Sequence, residues 1–537
     1  MNGLTDNYRP DAFFDEAFTE DGAARPSYSA VLGALDRLGA SELARRNELR
    51  DLLQRSRGVT FTLRSEEGDL ERTFPLDLVP RIIDAEEWRV VEAGLIQRVK
   101  ALNAFLVDIY GDQACLHDKL IPRRLLYSLP GFERAAHGVR CGLDVHIHVA
   151  GLDLVRGDEG RWYVLEDNVR TPSGVSYVME NREVMAQALP EFFEGMALAP
   201  VDHYPQMLLR ALQATAPLEA GPRPKVVVLT PGVYNSAYFE HALLARQMGV
   251  DLVEGSDLLS SGGQVFVRTT QGPRKVDVIY RRIDDDYSDP LVFRPESVVG
   301  CAGLLNAARA GHVTLANAVG NGAADDKSVY PYVPEMIRYY LGETPILENV
   351  RTWLCGQAED RATVLDRLDQ VVIKPTDGSG GYGVVIGPRA SAETLDKVAA
   401  AIRENPDHYI AQDLVKLSTH PTMIDGKLSP RHVDLRPFIV QGERVEVLPG
   451  GLTRVALPEG SFVVNSSQGG GSKDTWVLQD TMPQTTTTTS LGASRESQPV
   501  PRRALTFGPE RDASRSQQQQ QQQQGPALRG ERVGSPC

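Results

Sequence analysis

Cysteine is scarce in this chain. Cys115, Cys141, Cys301, Cys355 and Cys537 are scattered over 537 residues and no two form a CxxC pair, which fits a reducing compartment and argues against a structural zinc site. Long apolar runs are also missing. The longest, at 224–230 and 370–373, have the length of a strand and fall far short of the roughly 20 residues that cross a bilayer. Residues 1–21 are acidic and lack the basic start and apolar segment of a secretory signal, so a cytoplasmic location is expected. Positive charge is in deficit, with a net charge of −14. That argues against nucleic acid and anionic membranes as partners, because phosphate surfaces are bound through an excess of Lys and Arg. A nucleotide needs only a few placed cations and stays open.

Familiar catalytic signatures are absent too. The chain has no GxSxG, no HExxH and no GxxxxGK[ST], and Gly471-Ser472-Lys473 lacks the glycine that a P-loop needs before its lysine. His146 and His148 share one strand face, but no third ligand is spaced to complete a metal site, which favours core or surface histidines.

What is present suffices for two to four domains with substantial cores, since 42% of the residues are hydrophobic. Trp88, Val91, Leu95, Val99, Leu102, Leu106 and Ile109 recur at intervals of three and four and predict a helix over 84–111, with Asp84 and Glu87 as a capping box and Gly111 as its stop. Residues 144–154 and 161–168 read as strands joined by a polar turn at 157–160. A strand at 225–229, a helix at 237–249 and a strand at 250–253 make a βαβ unit, followed by a strand at 276–281 and helices through 334–341. Strands return at 371–374, 383–386, 409–412, 432–440, 444–448 and 452–456, around one helix at 392–404. Beyond 479 the composition collapses into threonines at 485–489, glutamines at 517–524 and scattered Arg, Ser and Pro. Such a tail cannot bury a core and is expected to be disordered.

Gly378-Ser379-Gly380-Gly381-Tyr382-Gly383 fits GxGxxG, a pattern shared by several nucleotide sites. In a dinucleotide fold these glycines open a helix, whereas here Val384-Val385-Ile386 reads as a strand. A strand, glycine loop and strand instead lay backbone N–H groups over phosphates. A protein kinase has its ATP lysine after that loop and an HRD–DFG pair further on, and the chain has neither. Lys374 precedes the loop in Val371-Val372-Ile373-Lys374-Pro375, and Lys327 lies some fifty residues earlier in Asp325-Asp326-Lys327.

In these lysines the chain resembles the ATP-grasp superfamily, in which two such residues contact the nucleotide. The resemblance continues through Tyr409-Ile410-Ala411-Gln412-Asp413-Leu414-Val415, similar to the hinge that holds adenine, which implicates Gln412, Asp413 and Val415. Then follow Asp434-Leu435-Arg436, Arg454-Val455-Ala456 and Asn465-Ser466-Ser467-Gln468-Gly469-Gly470-Gly471, in the order of peptide-forming members, where the equivalent of Arg454 steadies phosphates. ATP-grasp enzymes end on an Asp, a hairpin and Glu-x-Asn carrying magnesium. Here that element stands near the N-terminus instead, as Asp153 and Glu166-Asp167-Asn168-Val169-Arg170.

The chain therefore resembles the circularly permuted ATP-grasp type 2 family, which includes glutathionylspermidine-synthase-like proteins. The resemblance implies an α+β ATP-grasp fold, circularly permuted, with an α/β pre-ATP-grasp domain. The expected divisions are an N-terminal segment (1–130), the metal hairpin module (131–200), the pre-ATP-grasp domain (201–326), the nucleotide lobes (327–478) and the tail (479–537). It implies ATP and magnesium, probed by Asp153, Glu166 and Asn168 as metal ligands, by Lys327, Lys374 and the 378–383 loop for nucleotide, and by Arg170, Arg436 and Arg454 for transferred phosphate. On a strand, Glu166, Asn168 and Arg170 would share one face and Asp167 would point away. Ser173-Gly174-Val175-Ser176-Tyr177 and Glu180-Asn181-Arg182 would continue the active-site wall, and 234–241 and 280–285 are substrate candidates at βα turns. The implied reaction joins a small-molecule or peptide carboxylate to an amine through an acyl phosphate. A non-catalytic ATP-binding scaffold and a phosphotransferase stand as alternatives.

Overall fold

A computed structural model describes residues 3–65, 68–376, 383–462, 464 and 469–480, the side chains of 61–72 excepted. From residue 481 the expected tail lies outside the described residues.

The apolar stripe forms the helix Ala85–Ile109. Val91, Leu95, Val99, Leu102 and Leu106 share one buried core with Leu152, Leu154, Val164, Leu435 and Val477, so a single helix face gathers strands from both ends of the chain. The capping box does not form. Asp84 makes no side-chain cap, and Glu87 instead accepts a hydrogen bond from the Trp162 indole (2.6 Å) and pairs with Arg156. A tertiary partner carrying full charge outcompetes a backbone amide.

The main sheet has eight strands. Its path runs Glu348–Asn349, Trp162–Glu166, Asp153–Arg156, Lys427–Arg436, Leu452–Val455, Gly471–Val477 and Leu76–Ile83, with Thr419–Ile424 paired to Lys427–Arg436. The middle is antiparallel and both ends are parallel. Leu76–Ile83 and Gly471–Val477 were not expected as strands. Every residue of both is buried, so neither shows the apolar–polar alternation by which a half-exposed strand is read. Within them the buried charges are met: Lys473 donates to Asp77, and Arg182 donates to Asp474 at 2.9 Å.

Two expected strands break at the same level. Residues 144–154 yield Val149–Gly151 and Asp153–Arg156, and 432–440 splits into Lys427–Arg436 and Phe438–Gln441 around Pro437, which has no N–H to donate. Val149–Gly151 pairs with Phe438–Gln441 in a separate three-stranded sheet, while Asp153–Arg156 pairs with Lys427–Arg436 in the main one. The hairpin thus docks on the strands Lys427–Arg436 and Phe438–Gln441 through a shared bend. The glycine-loop strand is shorter than expected, only Val385–Ile386.

Thr314–Ala316, Val278–Arg281, Val226–Leu229 and Asp251–Val253 form an all-parallel sheet in that order, with Tyr238–Met248 as a crossover helix. A smaller antiparallel sheet, Thr352–Leu354, Tyr409–Asp413, Val371–Pro375 and Val385–Ile386, has its own core of Trp353, Cys355, Val364, Val371, Ile373, Ile402 and Ala411. The result is the mixed α and β ATP-grasp architecture that the sequence implied.

Asp167 points away from its neighbour Glu166, into the protein. Its carboxylate receives two hydrogen bonds from Arg98 of the long helix, at 2.6 and 2.7 Å, with side chains 2% and 1% exposed. Arg98 also donates to Asn349 Oδ1 at 2.7 Å, tying helix, hairpin and edge strand together. Asp167→Ala leaves a buried guanidinium uncompensated and should cost about 3–5 kcal/mol of unfolding free energy, whereas Arg98→Met with Asp167→Leu should recover most of it. Urea unfolding of the three proteins checks this, and a wild-type midpoint for Asp167→Ala would refute it.

Candidate active site

Asp153 and Glu166 face each other across the hairpin, while the next partners are Leu154 and Val164. Leu165 is therefore the extra residue of a β-bulge, a device that re-aims side chains at strand ends. Arg436 holds the Asp153 carboxylate with both ends of its guanidinium fork (2.6 and 2.9 Å), and Arg454 adds a bond at 2.8 Å. Arg454 is itself held by Asp434, its cross-strand partner. Lys327 Nζ lies 3.3 Å from Glu166, and Lys374 is buried close by.

Around this centre Lys327, Lys374, Arg436 and Arg454 stand among Asp153, Glu166 and Asp434, and Asp167, Asp325 and Asp326 also border the recess beside it. Burial alone would raise the Asp153 carboxyl, but Arg436 and Arg454 outweigh it and hold it far below the usual range. For Glu166, burial and Asp153 act upward while Lys327, Lys374 and Arg436 act downward, and the cations prevail. Burial pushes the Lys374 ammonium down to about 8 despite Glu166, with Lys327 pushing the same way. Burial lifts Asp434 against the pull of Arg454.

Beside Glu166 opens a shallow recess bordered by Glu166, Lys327, Tyr330, Lys374, Ile410 and Gln412. Lys327 is presented by a tight turn in which Asp326 accepts from Ser328 N–H (2.8 Å) and Oγ (2.6 Å). Tyr330 locks that segment to the hairpin, donating to the Val164 carbonyl at 2.5 Å and accepting from Val350 N–H at 2.7 Å. Gln412, at the border of the recess, donates to Thr352 Oγ1 at 3.1 Å, and its buried Oε1 has no protein partner.

The structure thus brings together Asp153, Glu166, Arg436, Arg454, Lys327, Lys374 and Gln412. Others depart from expectation. The strand ends at Glu166, so alternation does not carry Asn168 and Arg170 onto its face. The Arg170 guanidinium goes instead to Asp325, whose other oxygen accepts Val169 N–H at 2.5 Å, and it stands one side chain behind the recess that Asp325 borders. Asp413 turns its carboxylate toward Arg367 at 3.8 Å. Val415 packs beside Val155, Val350 and Leu417, where the chain leaves the small sheet. Gly383 takes a left-handed φ of +74° against Pro375, whereas Gly378, Ser379, Gly380, Gly381 and Tyr382, like Asn465-Ser466-Ser467-Gln468, lie outside the described residues.

Of the substrate candidates, Arg281 is consumed internally by the carbonyls of Asn317, Ile283 and Ala318. Arg282 reaches the Pro172 carbonyl at 2.8 Å, and Glu240 receives Gly174 N–H at 2.8 Å and Ser176 Oγ at 3.0 Å. Both brace the loop after the hairpin. Sequence reasoning passed over Asp434, Asp325 and Tyr330, although Asp434-x-Arg436 and Asp325 beside Lys327 were visible as charge patterns.

Two carboxylates suit magnesium, a hard ion that takes one or two of them and completes its shell with phosphate and water. Among the described residues no group of three or more His, Cys, Asp or Glu is placed to hold a metal ion. The Asn168 amide Nδ2 is buried without a hydrogen-bond partner.

The profile of the circularly permuted ATP-grasp type 2 family matches residues 80–456, and the chain belongs to that family. It is 57% identical over 466 residues to a Mycobacterium tuberculosis protein, covering 87% of this chain and 84% of that one, and 50% identical over 474 residues to a Synechocystis protein, covering 88% and 98%. A Frankia casuarinae protein provisionally named glutamate–cysteine ligase 2-2 is 48% identical over 476 residues, covering 88% of this chain but 54% of its own length. The fold is also that of a glutathione synthetase-like effector from Globodera pallida in its apo form, with a TM-score of 0.52 at 10% identity, covering 82% of this chain and 98% of that one. Among the described residues no helix is long and apolar enough to cross a membrane.

His146 and His148 are core residues. Burial pushes them down to about 4 and about 3, and His148 Nε2 lies 3.1 Å from Thr215 Oγ1. Held neutral, they give a stability that is present above their ordinary value near 6.5 and lost as pH falls toward the folded values, at up to about 1.4 kcal/mol per pH unit for each. His148→Gln should therefore lose roughly 1–2 kcal/mol less than wild type between pH 6.5 and 5. Denaturant unfolding at both pH values checks this, and equal losses would show that His148 is not held neutral.

Proposed function

We propose that the chain is an ATP-dependent carboxylate–amine ligase. The observation that carries this reading is the Asp153–Glu166 pair set beside a recess with Lys327, Lys374 and the unpartnered Gln412 oxygen. Family membership supports ATP-dependent ligation in general, and the name of the Frankia relative agrees, although this chain spans about half of that protein.

Gln412 would take the adenine side, and Lys327 and Lys374 the phosphates through charge-assisted bonds. Glu166, Asp153 and Asn168 would hold magnesium, which when bound neutralises phosphate charge and aligns the γ-phosphoryl group. Arg436 and Arg454 keep Asp153 ionised and keep positive charge beside the phosphates. An acid oxygen of the substrate attacks the γ-phosphorus while the bond to ADP breaks. An amine then attacks the acyl phosphate carbon, phosphate leaves, and the amine gives up a proton. No protein nucleophile is required; the protein positions reactants and supplies fixed charge.

Lys374→Ala and Lys327→Ala should each weaken ATP binding on the order of tenfold or more, from a loss of roughly 1.5–3 kcal/mol per charged contact. Unchanged affinity in both by calorimetry would sink the nucleotide assignment. Glu166→Gln should abolish magnesium-dependent ATP turnover while melting within a few degrees of wild type, and full turnover in the folded variant would end the metal assignment. For the reaction, a screen of amino acids and short peptides with ATP, magnesium and hydroxylamine should yield one acid that gives hydroxamate and ADP in equal amounts. Stable phosphorylation of a hydroxyl compound instead would make the protein a phosphotransferase.

A further inference from the structure

Residues 13–16 lie outside the stretch matched by the family profile, yet they touch each part that must hold its place around the recess. Glu16 N–H donates to the Thr419 carbonyl at 3.0 Å and Thr419 N–H donates to the Phe14 carbonyl at 2.9 Å, so the N-terminal segment is stitched to the strand entered from 414–418. The Glu16 carboxylate is buried against Arg81 and receives Ser418 Oγ at 2.5 Å. Phe14 covers the turn of the metal hairpin. Gly160 there has φ +72°, and a Cβ on it would meet the Phe14 ring at 3.0 Å.

Phe13 completes the set. Its ring meets His432 edge-on at 4.7 Å and Phe462 at 5.9 Å, and those two stack at 4.3 Å. On Phe462 rests the Arg389 guanidinium, 4.3 Å from the ring centroid, and Arg389 follows the strand Val385–Ile386 of the small sheet. His432 donates its Nδ1–H to the Leu417 carbonyl, 2.9 Å away, in the crossing itself. One stack therefore runs from the N-terminal segment, past the crossing at 414–418, to the sheet that carries Lys374 and Gln412.

We infer that Phe13 is a positioning residue for the nucleotide recess: through Phe462 and Arg389 it sets how the small sheet stands against the Asp153–Glu166 hairpin. This rests on the nucleotide reading proposed above for the recess. Phe13 is only half-buried, so its loss leaves the cores intact and acts on the orientation.

The test is a double-mutant cycle on the full chain with Phe13→Ala, Arg389→Ala and both. Without nucleotide, hydrogen exchange at 414–418 should quicken several-fold in each single variant. ATP affinity should fall about 3- to 10-fold in each, the size expected of a lost aromatic–cation contact. The double variant should be no worse than the poorer single, because the two act through one stack, and Phe13→Tyr should restore both readouts. A merely structural role would lower the melting temperature and leave exchange at 414–418 and ATP affinity where they were, which overturns the inference, as do losses that add. The exchange readout needs no nucleotide, so a wild-type protein that binds no ATP would defeat the ligase reading separately.

Discussion

The Asp153 carboxylate, 3% exposed and held by Arg436 and Arg454, is the interaction on which the rest of the architecture turns. Desolvating a carboxylate costs several kcal/mol, recovered only when each of its oxygens finds a well-aligned donor. Here both oxygens are used, and Arg454 is backed by Asp434 on the neighbouring strand. Because the partners lie 283 and 301 residues away in the chain, satisfying one side chain brings three strands together in register. A circular permutation survives for the same reason: metal and phosphate groups need to be adjacent in space, and a sheet supplies that whatever the order of its strands.

Around that centre cations and carboxylates are interleaved at close quarters. Lys374 is driven down to about 8 by burial and by Lys327, so the protein alone keeps an ammonium where solvation is poor. The small sheet that carries Lys374 and Gln412 has its own core, so its stance relative to the hairpin is set by contacts at the junction, among them Val155, Val350, Leu417 and Tyr330. The stance of the small sheet is thus governed by apolar and aromatic packing at the border of the recess.

Much of this was readable in the sequence. Spacings of three and four located Ala85–Ile109, and a glycine at 249 with apolar runs on either side located the parallel unit. The ordered series Lys327, Lys374, Gln412, Arg436 and Arg454, singled out by the family resemblance, names residues that the fold assembles. Reading failed where the pattern is erased by complete burial, as in Leu76–Ile83 and Gly471–Val477, and where one residue decides continuity, as at Pro437.

The sequence by itself determined which residue types are available and which local segments repeat their apolar positions, since periodicity and charge pattern are properties of neighbours along the chain. Only the tertiary structure decided that Arg170 serves Asp325, that Glu87 abandons its cap for Arg156 and Trp162, and that Asp434 stands behind Arg454. A charged side chain takes the strongest partner within reach, and reach is set by strands and helices hundreds of residues apart, which no local pattern records.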